Sequence, residues 1–377
     1  MTHTNYFFQK LEEEIDKLGG LFNAHTHIDR FATAGPQFYP EHTDYHDYEV
    51  LRLWDKQSST RFLHKGKAYQ RESLVSRMSS FLTESKQVGV TRLDSFIDVV
   101  DDIPLDSGMG ALNTALQLKS LYAEDIDLQI GAYAPFGFKH HSPQTWEKFV
   151  EAAQHADFIA TSPEHDDPEF YKADSDHIGF ENHFLRTLEL AFSLKKPIHY
   201  HLDQQINPNE YGTESLISAF EKFAHREELI HRGKLEPIIW AVHVISPSTY
   251  SRERLERLLD KLATFNIGII CCPSAGISMR KLTYQEAPLN RSIAEILLML
   301  SRGITVRVGT DNVDDIFLPA TTLDPRNEIS FLANALRFYD PTIYAKLLCG
   351  RPLEETDLKV LNKFLETEEQ ILNSYKI

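Results

Sequence analysis

Apolar positions along the chain gather in short, β-branched runs separated by longer stretches with helical spacing. The strand candidates are LFNAHTH (21–27), TRLDSFIDVV (91–100), DLQIGAYA (127–134), DFIATS (157–162), PIHYHLD (197–203), PIIWAVHVI (237–245), NIGIICCP (266–273) and ITVRVGTDN (304–312). Amphipathic segments such as SLVSRMSSFLTESKQVG, ENHFLRTLELAFSLKK and SRERLERLLDKLATF lie between them. Strands alternating with helices predict a parallel sheet, and eight of them predict a closed (β/α)8 barrel. A doubly wound open sheet is the runner-up. It commonly carries a Gly-rich phosphate turn after its first strand, and HTHIDRFATAG (25–35) is not one. Residues 31–70 are polar and aromatic and read as a long first βα loop able to cover a site. FFQKLEEEIDKLGG precedes the first strand, and helical patterns run from residue 320 to the end. The expectation is one barrel domain over 1–377 with helical extensions at both ends.

Composition narrows the function classes. With 42% hydrophobic and 25% charged residues the chain can bury a large core. A net charge of −16 repels phosphate backbones, so no nucleic-acid partner is expected. No apolar stretch reaches bilayer length, and the N-terminus lacks the cationic start and apolar core of a secretory signal. Cys271, Cys272 and Cys349 are too few for a disulfide framework, and the adjacent pair in an apolar run reads as packing. A reduced, cytoplasmic protein follows, with a small-molecule substrate and no membrane partner; a homo-oligomer is left open.

The chemistry lies at strand ends. On a strand, residues two apart share a face, so His25 and His27 converge at the end of the first candidate strand. His201 ends the fifth, with His199 one layer deeper. His243 lies near the end of the sixth, and Asp311 closes the eighth. In a barrel the functional groups come from the C-terminal ends of strands. Imidazoles and a carboxylate gathered there are ligand types for a catalytic zinc or iron ion with one position left open.

These motifs resemble the metal-dependent amidohydrolase superfamily, and within it the cytosine deaminase-like branch. HTHIDRFATAG is similar to the first metal motif, HYHLDQ to the fifth-strand motif and GTDNVDDIFLP to the eighth-strand motif. AVHVIS and CCPSAG hold the places of the sixth-strand histidine and the seventh-strand turn. The resemblance covers about residues 20–340. It implies that His25, His27, His201 and Asp311 bind one divalent ion, zinc first, with iron or manganese as alternatives. His243 would orient or deprotonate water on the ion, and Asp311 would also shuttle a proton. Gln204 and Asn312 would contact substrate.

Three positions depart from the branch. The family's general-acid glutamate is Gln204, which cannot exchange a proton near pH 7. The glutamine that reads a pyrimidine edge is replaced at or beside Pro135, and the second acid of the eighth-strand pair is Asn312. The small β-sandwich common in the superfamily is missing, since the first motif starts at residue 25. The resemblance therefore implies a hydrolase that cleaves a C–N bond, not a peptide bond, of a small cyclic amine or amide through a metal-bound hydroxide, but not one specific for cytosine. A catalytically weak metal-binding barrel with a ligand-binding or regulatory role is the alternative, favoured by Gln204.

Two further expectations concern buried charge. Glu164 is the early carboxylate on the fourth strand and the candidate for holding a second ion. Arg307 has the inward parity of Asp311, so it is expected to pair inside the barrel with Asp94 or Asp98, because an unpaired buried charge is costly.

Overall fold

The computed structural model describes residues 5–169, 175–280 and 292–374. Its strands are β1 (Leu21–Thr26), β2 (Val90–Asp98), β3 (Asp127–Ala134), β4 (Phe158–Thr161), β5 (Ile198–Leu202), β6 (Ile239–His243), β7 (Gly268–Cys271) and β8 (Val306–Val308). They form one eight-stranded sheet in sequence order, and every neighbouring pair is parallel. Between β8 and β1 the circuit is joined by a parallel bridge, Thr26 to Asp311. The Asp311 amide donates to the His25 carbonyl at 2.9 Å, and Asn23 Nδ2 donates to Thr310 Oγ1 at 2.8 Å. The fold is a (β/α)8 barrel, as the alternation of patterns predicts; the open-sheet alternative falls with the β1–β8 seam.

Each expected strand is present, most of them shorter than the apolar run that marked it. β6 stops at His243, and β8 has only three residues, so Asp311 lies beyond it. The reason is in the backbone. His243 (φ 75), Val244 (φ 50) and Asp311 (φ 60) take left-handed conformations that end the ladder. Such conformations are uncommon for these residues and concentrate at functional sites.

Helices surround the barrel, and their apolar faces meet the outward faces of the strands in the main core. The interior is a second, smaller apolar cluster that includes Phe22, Phe96, Phe158, Trp240 and Ile270. Gly131 makes room for one of these rings, since a Cβ there would stand 2.1 Å from Phe158 Cε2. Below the rings, Arg307 points inward as its parity requires. It lies 4.1 Å from the Trp240 ring centre and 5.0 Å from that of Phe22. Arg307 Nη1 stands 3.9 Å from Asp94 Oδ2, and Nη2 forms a short contact with Glu236. Asp98, the other expected partner, is taken by Arg30 instead, at 2.8 and 2.6 Å.

The chain ends are helical, as expected: Tyr6–Leu18 precedes β1 and Glu355–Ser374 ends the described chain. The last residue of the C-terminal helical pattern, Tyr375, falls outside the described residues.

Candidate metal centre

His25 and His27 reach the barrel mouth from β1 and the residue beyond it, His201 from β5, His243 from the end of β6, and Asp311 from the turn after β8. All are buried. His25 Nε2 stands 3.1 Å from Asp311 Oδ1, and His27 Nε2 stands 3.5 Å from the same atom. His201 Nε2 is 3.3 Å from His25 Nε2, and His243 Nε2 is 4.0 Å from Asp311 Oδ2. The five side chains therefore gather at the barrel mouth.

Two overlapping sets, His25–His201–His243 and His25–His27–Asp311, each bring their donor atoms within 4.8 Å of one another. Ligands about 2.0–2.2 Å from a tetrahedral ion sit about 3.3–3.6 Å apart. The three spacings of 3.1, 3.5 and 3.3 Å lie near that figure, while His201 groups with His25 and His243 and not with His27 and Asp311. The donor chemistry also fits. Burial, with Arg30 adding to it, lowers His27 to about 4; burial likewise lowers His243 to about 4 and pushes His201 well below its ordinary value. Neutral rings keep a lone pair free for a cation. Burial works against the charge on Asp311, but hydrogen bonds from His25 and His27 outweigh it and hold the carboxyl well below the usual range. In all four rings Nδ1 is buried without a hydrogen-bond partner among the described residues, so Nε2 is the atom turned to the common point.

Above this centre opens a cavity of about 700 Å³. Gln204 and Asn312 both line it. Gln204 Nε2 donates to Glu164 Oε2 at 2.8 Å, while Asn312 Nδ2 donates to Asp315 Oδ2 at 2.5 Å. Glu164 is thus a supporting group. Its other oxygen accepts from the Asp203 amide at 2.5 Å, and it belongs to neither donor set, so the second-ion expectation has no geometric support. Burial, then Glu210 and Asp203, raises its carboxyl well above the ordinary value. Pro135 and Phe136 line the cavity where a pyrimidine-reading amide was sought.

The long first loop reaches over the cavity with Trp54, Lys56, Gln57 and Thr60. Trp54 stacks on His165 with ring centres 4.1 Å apart, and Gln57 Oε1 meets His165 Nε2 at 3.0 Å, which ties the loop to the end of β4. Phe317 lines the cavity as well, whereas Tyr39 packs against Tyr48 and Phe62. His199 is the deeper interior ring, stacked on Phe158 at 4.4 Å. His140 and His141 are not among the lining residues. Cys271 and Cys272 are buried and unpaired.

Sequence reasoning missed Arg30, Tyr133 and Lys56 as lining residues and the hold of Glu164 on Gln204. Arg30 follows His27 by three positions in the first motif, and that spacing was the one signal available.

No family model matches the chain. A protein of Haemophilus influenzae, itself described as uncharacterized, is 27% identical over 304 residues, which span 79% of this chain and 99% of that protein. Among solved structures, 5-methylcytosine deaminase from Klebsiella pneumoniae superposes with a TM-score of 0.67 at 19% identity, covering 85% of this chain and 70% of that one. N-isopropylammelide isopropylaminohydrolase from Burkholderia multivorans gives 0.63 at 16% identity over 88% and 72%. Adenine deaminase from Arthrobacter aurescens gives 0.56 at 13% identity over 92% and 99%. The chain has the fold of these enzymes. That agrees with the barrel read from the strand pattern.

Proposed function

We propose that the chain is a metal-dependent hydrolase of the amidohydrolase type that cleaves a C–N bond, other than a peptide bond, in a small cyclic amine or amide. The observation that carries this reading is the gathering of His25, His27, His201, His243 and Asp311 in two donor sets that share His25, beneath a cavity at the barrel mouth. Enzymes with the same fold bear names of that chemistry, two deaminases and an aminohydrolase. Zinc is the first choice of ion, with iron or manganese accepted by the same donors. When bound, a divalent ion supplies Lewis acidity and an acidified water.

The chain's own groups do the rest. His243 Nε2 takes a proton at the mouth, and Asp311 Oδ2, 4.0 Å away, lies one bridging atom from it. Asn312, its amino group held by Asp315, turns a carbonyl oxygen to the substrate. Gln204 contacts the substrate edge with its amide fixed by Glu164. Pro135 and Phe136 stand where the branch has an amide that reads the pyrimidine edge, which argues against specificity for cytosine. One domain, a small-molecule partner, no nucleic acid and a cytoplasmic setting complete the proposal.

The test is metal analysis of the purified chain followed by ammonia or amine release across aminopyrimidines, triazines and pterins. His27→Ala should remove metal and turnover together; turnover that survives loss of metal refutes the mechanism. A metal-loaded protein without turnover on any member would favour the second reading, a weakly catalytic ligand-binding barrel, for which Gln204 is the specific support.

A further inference from the structure

The cavity mouth carries a cation that forms no ion pair among the described residues. Lys56, from the short helix Leu53–Ser59 in the first loop, lines the cavity. Its ammonium donates to the Phe317 carbonyl at 3.3 Å and lies 6.0 Å from the centre of that ring. No carboxylate stands within 4.0 Å of it among the described residues. The acids nearby are engaged elsewhere: Asp55 with Arg52 at 2.9 Å, and Glu49 with His46 at 3.2 Å. Asp315 is held by Asn312 and by the Phe317 and Leu318 amides. Arg30 reaches the cavity too, but its charge is matched by Asp98. Arg280, from beyond β7, brings a second positive group to the same mouth.

Taking an ammonium out of water without a paired carboxylate is costly, and burial lowers the proton affinity of Lys56 although Asp315 and Glu49 pull the other way from a distance. In a chain of net charge −16, a cation that faces the substrate cavity with no carboxylate in contact among the described residues points to a ligand that brings one.

We infer that the substrate bears a carboxylate, which docks against Lys56 at the mouth while its scissile C–N bond lies over the histidine centre. One half-buried ammonium matches one negative charge, and Lys56 lines the same cavity as His27, His201, His243 and Asp311. The inference rests on the hydrolase reading of the same site.

Calorimetric titration of the zinc-loaded full chain tests it, using planar amino-heterocycles each as a carboxylate and as its primary carboxamide. The carboxylate of each binding pair should bind about ten-fold more tightly, the scale of one partly buried ion pair. Lys56→Gln should shrink that gap below about three-fold, and Lys56→Arg should restore it. Carboxamides that bind as well as carboxylates, a gap untouched by Lys56→Gln, or no carboxylate binding at all would overturn the inference. Failure of the hydrolase reading shows separately, as a chain that takes up no divalent metal or releases neither ammonia nor amine, because carboxylate preference is read from binding alone.

Discussion

Gln204 is where a single side chain separates this site from the branch it resembles. An amide at that position cannot carry a proton, yet a carboxyl stands directly behind it at 2.8 Å. Gln204→Glu would set two buried carboxyls within hydrogen-bond distance. Like charges at that separation do not both ionise, so one proton is shared at neutral pH. The variant should therefore gain a general acid. Deamination of amino-heterocycles should rise about a hundred-fold, at the low end of what a positioned acid contributes, with a new ionisation in the pH–rate profile. An unchanged rate and profile would show that the missing proton carrier is not what limits the wild type.

A second residue, Asp94, gives a pH signature far from the site. Burial pushes its carboxyl up to about 6 despite Arg92 and Arg307. Because the folded pKa is raised, the folded state holds this proton more tightly than the unfolded chain does. The contribution is present below the unfolded value of about 3.9 and is lost as pH rises through 6, at most about 3 kcal/mol. Asp94→Asn removes that slope. Urea melts should show the variant gaining about 1–3 kcal/mol relative to wild type between pH 4.5 and 7.5. A constant difference across that range would contradict the assignment.

Between elements, the decisive contact is that of β8 with β1. Gly309 follows β8 and passes so close to β1 that a Cβ there would stand 2.6 Å from His25 Cβ and 2.7 Å from its amide nitrogen. Gly309→Ala must push the two segments apart. The overpacking should cost about 1–3 kcal/mol and displace His25 from the common point, so that metal content falls together with the unfolding midpoint. An alanine variant with full metal content and unaltered stability would refute the close approach.

Much of this architecture was legible in the alternation of apolar runs and helical segments. The same holds for the polar residues at strand ends, because a barrel leaves few other places for buried imidazole. Parity placed His199 one layer below His201 and turned Arg307 inward. What the sequence concealed depends on irregular backbone. The register of β1 shifts between Asn23 and Thr26, and this lets Phe22 and His25, of opposite parity, both face the interior. The left-handed turns at His243 and Asp311 fall on residue types that adopt that conformation more often than most, but too rarely for the sequence alone to mark them. The contacts of Glu164 with Gln204 and of Lys56 with Phe317 join loops that are distant in sequence, and no periodicity encodes them.

At the scale of the whole molecule, the candidate ligands come from the first, fifth and last strands, so an ion held there spans the barrel and its seam. That seam is the lightest part of the sheet: β8 has three residues and meets β1 at the Thr26–Asp311 bridge. Asp311 serves both purposes, with its amide bonded to the His25 carbonyl and its carboxylate to the His25 and His27 rings. Metal binding should therefore act as a clasp on barrel closure as well as a source of reactivity. Stabilisation by a ligand that binds only the folded state amounts to about 4 kcal/mol at a free concentration near 1,000 Kd. Chelation should lower the thermal midpoint accordingly, and zinc should restore it. The loss should also be local. Hydrogen exchange in residues 21–28 and 304–313 should accelerate before that of β3 and β4, whose ladders do not depend on the ion. Uniform acceleration over all strands would count against the clasp, and an unaltered midpoint after complete metal removal would exclude any coupling between the centre and the fold.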